Sequence, residues 1–184
     1  MPAQPTHDLS DLSVVIDRLV RIVEDWPEPG VTFRDITPLL AEPDALEAVV
    51  DGLVQLATAM GPVDAILGIE ARGFLFGPSV AVRLGAGFVP VRKAGKLPSK
   101  SLSTSYDLEY GSAVLEMHVD AVQPGDRVIV IDDVLATGGT MLAAADLVRQ
   151  ADAEVAGNLV LIEILALGGQ ERLAPLGCAA LRSY

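Results

Sequence analysis

Residues 128–140 read VIVIDDVLATGGT, and no other stretch of the chain constrains its fold as tightly. Val128, Ile129, Val130 and Ile131 are all β-branched and form an unbroken apolar run. Such a run lacks the alternation of a half-exposed strand and fits one buried on both faces, as in the interior of a parallel sheet. Asp132 and Asp133 stand where that strand would end, followed by a turn, ATGGT, that nearly abandons side-chain bulk. From Met141 to Gln150 the pattern becomes helical. Strand, glycine turn and helix in this order set two acids at the carboxyl end of a buried strand, where open α/β sheets bind ligands.

The remaining chain supplies the other layers of such a sheet. Leu12, Val15, Ile16, Leu19, Val20 and Val23 fall on one face of an N-terminal helix with Asp8 or Ser10 as its cap, and WPEPG at 26–30 stops it. Asp44 opens a second helix carrying Leu46, Val49, Val50, Leu53 and Leu56, which ends near Gly61-Pro62. AILGI at 65–69 is a short buried strand, ARGFLFGPSVAVRLGAG turns from it into a helix, and FVPV leads into a lysine-rich stretch. About residues 99–108, Ser and Thr dominate without an apolar period, which predicts a mobile loop. SAVLEMHVD alternates, placing Ala113, Leu115, Met117 and Val119 on one face and the more polar Val114, Glu116 and His118 on the other. NLVLIEILAL predicts a last strand or strand pair, and the segment from Gly168 to Tyr184 a closing strand. Strands alternating with helices predict one α/β domain over 1–184, a mostly parallel central sheet flanked by helices. With 51% apolar residues but only 4% aromatic, its core must be aliphatic.

Several classes are disfavoured. A net charge of −12 argues against nonspecific nucleic-acid binding, which draws its affinity from clustered Lys and Arg. The most apolar run, LVLIEILAL at 159–167, is interrupted by Glu163 and falls short of the roughly 20 residues that span a bilayer. MPAQPTHDLS has neither the basic nor the apolar region of a signal peptide. No membrane partner and a cytoplasmic location are therefore expected. The one cysteine, Cys178, permits no internal disulfide and reads as a small packing residue, and two distant histidines, His7 and His118, make a His-rich metal cluster unexpected. Against this acidity, all three lysines, Lys93, Lys96 and Lys100, share one short stretch with Arg92. That concentration suits a bound anion.

The glycine turn narrows the anion. Successive amides at Ala136, Thr137, Gly138, Gly139 and Thr140, together with a helix N-terminus, make a phosphate cradle to which the Thr hydroxyls add donors. Carboxylates beside a cradle repel phosphate, so Asp132 and Asp133 need another partner. Vicinal sugar hydroxyls are adjacent donors that carboxylates accept from, and a metal-bound hydroxyl pair suits them equally. No G-x-x-x-x-G-K-S/T occurs, which disfavours a P-loop nucleotidase. The stretch reads as a site for a sugar phosphate with free 2′ and 3′ hydroxyls.

VIVIDDVLATGGT resembles the phosphoribosyl-pyrophosphate signature of type I phosphoribosyltransferases. PGVTFRDITPLL (29–40), GIEARGFLFGPSVA (68–81), RKAGKLP (92–98) and LEYG (108–111) are similar to the adenine-specific members. The resemblance implies the type I phosphoribosyltransferase (Rossmann-like) fold, with a base-binding hood over about residues 1–40. It implies conversion of adenine and phosphoribosyl pyrophosphate to AMP and pyrophosphate with Mg²⁺, in purine salvage, by a homodimer. It assigns the ribose to Asp132 and Asp133, the 5′-phosphate to 136–140, and the base to Thr32, Phe33 and Arg34, with Phe33 stacking. Arg72, Lys93 and Lys96 would meet the pyrophosphate, the lysines in their own or a neighbouring subunit, although Arg72 read alone could pair with Glu70 or Asp64. Glu109 would be the catalytic acid/base. Two alternatives remain at this point: another purine as the base, or a regulator that senses phosphoribosyl pyrophosphate. The regulator should carry an added DNA-binding module, for which the roughly 25 residues before the base segment leave little room.

Overall fold

The computed structural model describes residues 9–107 and 112–184; Asp8, the alternative helix cap, lies outside them. A seven-stranded sheet forms the centre, in the order β5-β6-β4-β3-β7-β8-β9. Its strands are β3 (Ala65–Ile69), β4 (Gly87–Lys93), β5 (Ser101–Asp107), β6 (Ser112–His118), β7 (Arg127–Leu135), β8 (Glu154–Glu163) and β9 (Ala179–Ser183). β4, β3, β7, β8 and β9 pair in parallel, whereas β6 runs antiparallel to both β4 and β5. The mostly parallel sheet and its closing strand are thus as the sequence predicts.

The central strand carries the two cores. Val128 and Val130 pack with Met141, Ala144, Leu147 and Val148 of α5 (Gly139–Gln150). Ile129 and Ile131 belong to the opposite cluster, with α1 (Leu9–Leu19), α2 (Thr37–Leu40), α3 (Pro43–Ala59) and α4 (Gly77–Leu84). All four side chains are fully buried, which is why the run shows no polar alternation.

Two segments differ from expectation. The first helix stops at Leu19, and Arg21–Val23 forms β1, paired antiparallel with β2 (Phe33–Asp35) in a separate two-stranded ribbon. Leu12, Ile16 and Val20 do form the buried stripe, but Val23 sits opposite Phe33 in the ribbon. The second difference is the 99–108 stretch, where Ser101–Asp107 forms β5 instead of an irregular loop, paired along its length with β6. Leu102, Thr104 and Tyr106 are half-buried while Ser103 and Ser105 are exposed. The period of two is present, but threonine at its centre hides it from an apolar count. Thr104 Oγ1 donates to Asp146 Oδ2 on α5 at 2.9 Å, which ties this edge strand down.

Candidate active site

Asp132 and the glycine turn line one cavity of about 170 Å³, together with Arg72, Val134, Leu135 and Met141. A larger groove of about 580 Å³ lies between α3 and α4. Its Arg83 is already bound to Glu47 and Asp51, and the other lining groups are mainly aliphatic, so reactive chemistry belongs to the smaller cavity.

α5 opens on this cavity with no side-chain cap. Its first intrahelical bond is from Leu142 N–H to Gly138 O, so the amides of Gly139, Thr140 and Met141 point out of the helix end without an internal acceptor. Together with the helix dipole, they favour an anion. Gly138 holds the turn in the left-handed region (φ +80°), and a Cβ there would meet Gly169 O at 3.1 Å. Its glycine is therefore required by backbone conformation and by packing on the 168–173 turn, and not only by ligand approach. Gly138→Val is expected to abandon this conformation, because left-handed backbone costs a residue with a Cβ roughly 1–2 kcal/mol. AMP affinity measured by calorimetry should fall about tenfold or more. A folded variant with unchanged affinity would remove the cradle assignment.

Asp133 is buried and its Oδ2 lies 3.0 Å from Arg72 Nη1. The Arg72 partner is thus neither Glu70 nor Asp64, whose own Oδ2 accepts the Arg127 amide. Gly73 makes this pairing possible: a Cβ there would stand 2.5 Å from Ile131 O, so only glycine lets the turn at Arg72–Leu75 lie directly on the end of β7. Asp132 Oδ1 accepts the Asp133 amide at 2.9 Å. Burial raises the pKa of both acids; the Asp133 carboxylate adds to the rise at Asp132, and Arg72 opposes it at Asp133.

Glu70 organises the basic stretch, a role the sequence did not disclose. Its Oε1 accepts Lys96 Nζ at 2.9 Å and Arg92 Nη2 at 3.2 Å, and its Oε2 accepts the Lys93 amide at 3.0 Å. Lys96 first, then the Lys93 amide and Arg92, hold the Glu70 pKa down at about 2 against its desolvation. The lysines therefore sit at the carboxyl end of β4, anchored to the residue that follows β3.

In the ribbon, Phe33 is half-buried, not a core aromatic. Trp26 meets it edge-on with ring centroids 4.4 Å apart, and the Arg72 guanidinium lies 5.9 Å from its ring. Arg72 thus links the base segment to the acid pair. Thr32 is exposed and Arg34 half-buried. Glu109 lies outside the described residues. Cys178 is half-buried, and burial pushes its thiol up to about 12, as befits a packing residue.

Residues 44–177 match the phosphoribosyl transferase domain family. The adenine phosphoribosyltransferase of Thermobifida fusca is 56% identical over 172 residues, covering 94% of this chain and 97% of that one. The crystal structure of adenine phosphoribosyltransferase from Thermoanaerobacter pseudethanolicus superposes with a TM-score of 0.87 at 42% identity, covering 96% of this chain and all of that one. The enzyme from Saccharomyces cerevisiae, complexed with an imino-altritol bisphosphate and adenine, gives 0.89 at 35% identity over 94% of this chain and 99% of that one.

Proposed function

This chain belongs to the phosphoribosyl transferase domain family and, within it, to the adenine phosphoribosyltransferases, and from that premise we propose how its site divides the labour. The reaction is the purine-salvage step in which adenine and 5-phosphoribosyl 1-pyrophosphate give AMP and pyrophosphate. A carbon–nitrogen bond forms at the ribose C1 as its bond to pyrophosphate oxygen breaks, and adenine releases one proton. The observation that carries the assignment is the meeting of Asp132, and of Arg72 paired to Asp133 behind it, with the uncapped start of α5 in one cavity.

Residues 136–140 hold the 5′-phosphate, and Asp132 and Asp133 accept from the ribose hydroxyls. Arg72, Lys93 and Lys96 offset the charge of the departing pyrophosphate. Phe33 stacks on the base, the backbone at Thr32 and Arg34 reads its edge, and Glu109 exchanges its proton. Mg²⁺ fits this donor set. Among the described residues no cluster of three or more His, Cys, Asp or Glu could hold a metal alone, whereas one or two carboxylates plus substrate phosphate oxygens are the usual surroundings of this ion. When bound, it adds positive charge beside the pyrophosphate. No helix among the described residues is long and apolar enough to cross a membrane, and we place the enzyme in the cytoplasm as a homodimer.

Pyrophosphate release measured with each purine in turn tests the reading. Turnover should be confined largely to adenine, and comparable rates with guanine or xanthine would overturn the base assignment. Lys93→Ala or Lys96→Ala should weaken phosphoribosyl pyrophosphate by roughly tenfold, the value of one charge-assisted bond. AMP, which lacks the pyrophosphate, should be nearly unaffected. Equal weakening of both ligands, read by calorimetry, would assign the lysines to the general field instead. Heterodimers of parent and variant subunits would show whether the contact crosses the interface.

A further inference from the structure

Among the described residues the β1–β2 ribbon makes no backbone pairing with the central sheet, yet a base must be held at a fixed height over the ribose. Ile36, buried among α1 and α3, fixes the chain just after β2. A second fastening comes from the far end of the sequence. Tyr184, one residue beyond β9, is locked to the sheet's carboxyl end by its own backbone: its amide donates to Glu163 O at 2.9 Å, and its carbonyl accepts from Leu165 N at 2.9 Å. The Arg34 guanidinium lies 4.3 Å from the centre of its ring. Arg182 approaches the same ring at 5.2 Å. Asp17 of α1 completes the cluster, its Oδ1 accepting both Tyr184 Oη and Arg182 Nε at 2.8 Å.

We infer that Tyr184 is a positioning residue for the purine: its ring seats Arg34 and thereby sets the base segment relative to the ribose site. This rests on the reading of residues 32–34 as the base segment. The physical ground is that a planar cation stacked on a ring fixes both distance and tilt. Tyr184 is itself held by three bonds, two between its own backbone and the sheet end and one from its hydroxyl to Asp17, which Arg182 also holds. Any displacement of the ring would pass to Arg34 and to its neighbour Phe33, while the cradle and the acid pair, on β7 and α5, would not move with it.

The experiment measures KM for each substrate in the full-length chain, with binding followed through Trp26, the single tryptophan, which touches Phe33. Tyr184→Leu should raise KM for adenine about three- to thirty-fold, the range of one stacked cation, and leave KM for phosphoribosyl pyrophosphate unchanged. Tyr184→Phe keeps the ring and both backbone bonds, loses only the hydroxyl bond to Asp17, and should restore most of the adenine value. If Tyr184→Leu does not fold, Arg34→Gln leaves Tyr184 and its bonds intact and should reproduce the adenine-specific loss. Equal rises in both constants, or no rise in either, would overturn the proposal. Phe33→Ala separates the two levels: if it leaves adenine binding intact, the base-segment reading itself fails, whereas a loss there without one in Tyr184→Leu removes only the role of Tyr184.

Discussion

Changing Asp132 and Asp133 together to Asn is expected to weaken phosphoribosyl pyrophosphate by about 10²-fold or more, since charge-assisted hydrogen bonds contribute roughly 1.5–3 kcal/mol each. Asn keeps the shape and an acceptor oxygen, so the loss isolates the charge. The Mg²⁺ dependence of binding, measured by calorimetry with and without the ion, should shrink as well. Acids that merely faced solvent would change neither quantity. The single variant Asp132→Asn carries a second consequence, of opposite sign. Burial raises the folded-state pKa of Asp132 above its unfolded value, so between the two values the folded protein binds the extra proton. Stability then falls as pH rises above the ordinary carboxylate pKa of about 4. Asn has no proton to bind and should remove that slope. In urea unfolding the variant should gain on the parent as pH rises from about 5 to about 8, the window between the ordinary and the raised pKa. A gap that is constant or closes with pH would mean that the carboxyl is not desolvated. The site would thus hold a destabilising charge that substrate hydroxyls relieve.

What could be read from the sequence was what local pattern determines. The β-branched run at 128–131 announces a strand buried on both faces because each residue must meet apolar neighbours whichever way it points, and Val128 and Ile129 do belong to opposite cores. The turn and helix follow from the same run. The misread pieces are those whose environment is set from elsewhere. Val23 continues a helical period, but WPEPG folds the chain back and pairs it with Phe33. β5 is a strand because β6 and Asp146 cover it, not because of any strong apolar face. Within the site, the residue types and their order along the chain were legible, and their partners were not. Arg72 pairs with Asp133 across a close approach that depends on Gly73. Glu70 gathers residues more than twenty positions away. Tyr184 meets Asp17 across 167 positions, a separation at which no periodic signal survives.

Glu109→Gln should bind AMP nearly normally and turn over about 10² to 10⁴ times more slowly, the usual contribution of a positioned acid or base. Such a group assists the reaction, because adenine must shed a ring proton as the glycosidic bond forms, and the departing base must regain one in reverse. Glutamine matches glutamate in size and hydrogen bonding but cannot exchange the proton. The strands that flank this position in the sequence, β5 and β6, meet at the carboxyl end of β4. Asp107 and Ser112 face each other at the ends of β5 and β6. β6 runs antiparallel to β4, and its last pair with that strand is Leu115 with Lys93. Ser112 therefore lies three residues, or about 10 Å, beyond the carboxyl end of β4, at the same end of the sheet as the acid pair and the lysines. Single-turnover kinetics separates the chemical step from product release, which steady-state turnover alone would blend. A chemical step within about a few-fold of the parent would show that Glu109 is not the acid/base, and that stabilisation of a ribosyl cation by the site's own charges carries the reaction.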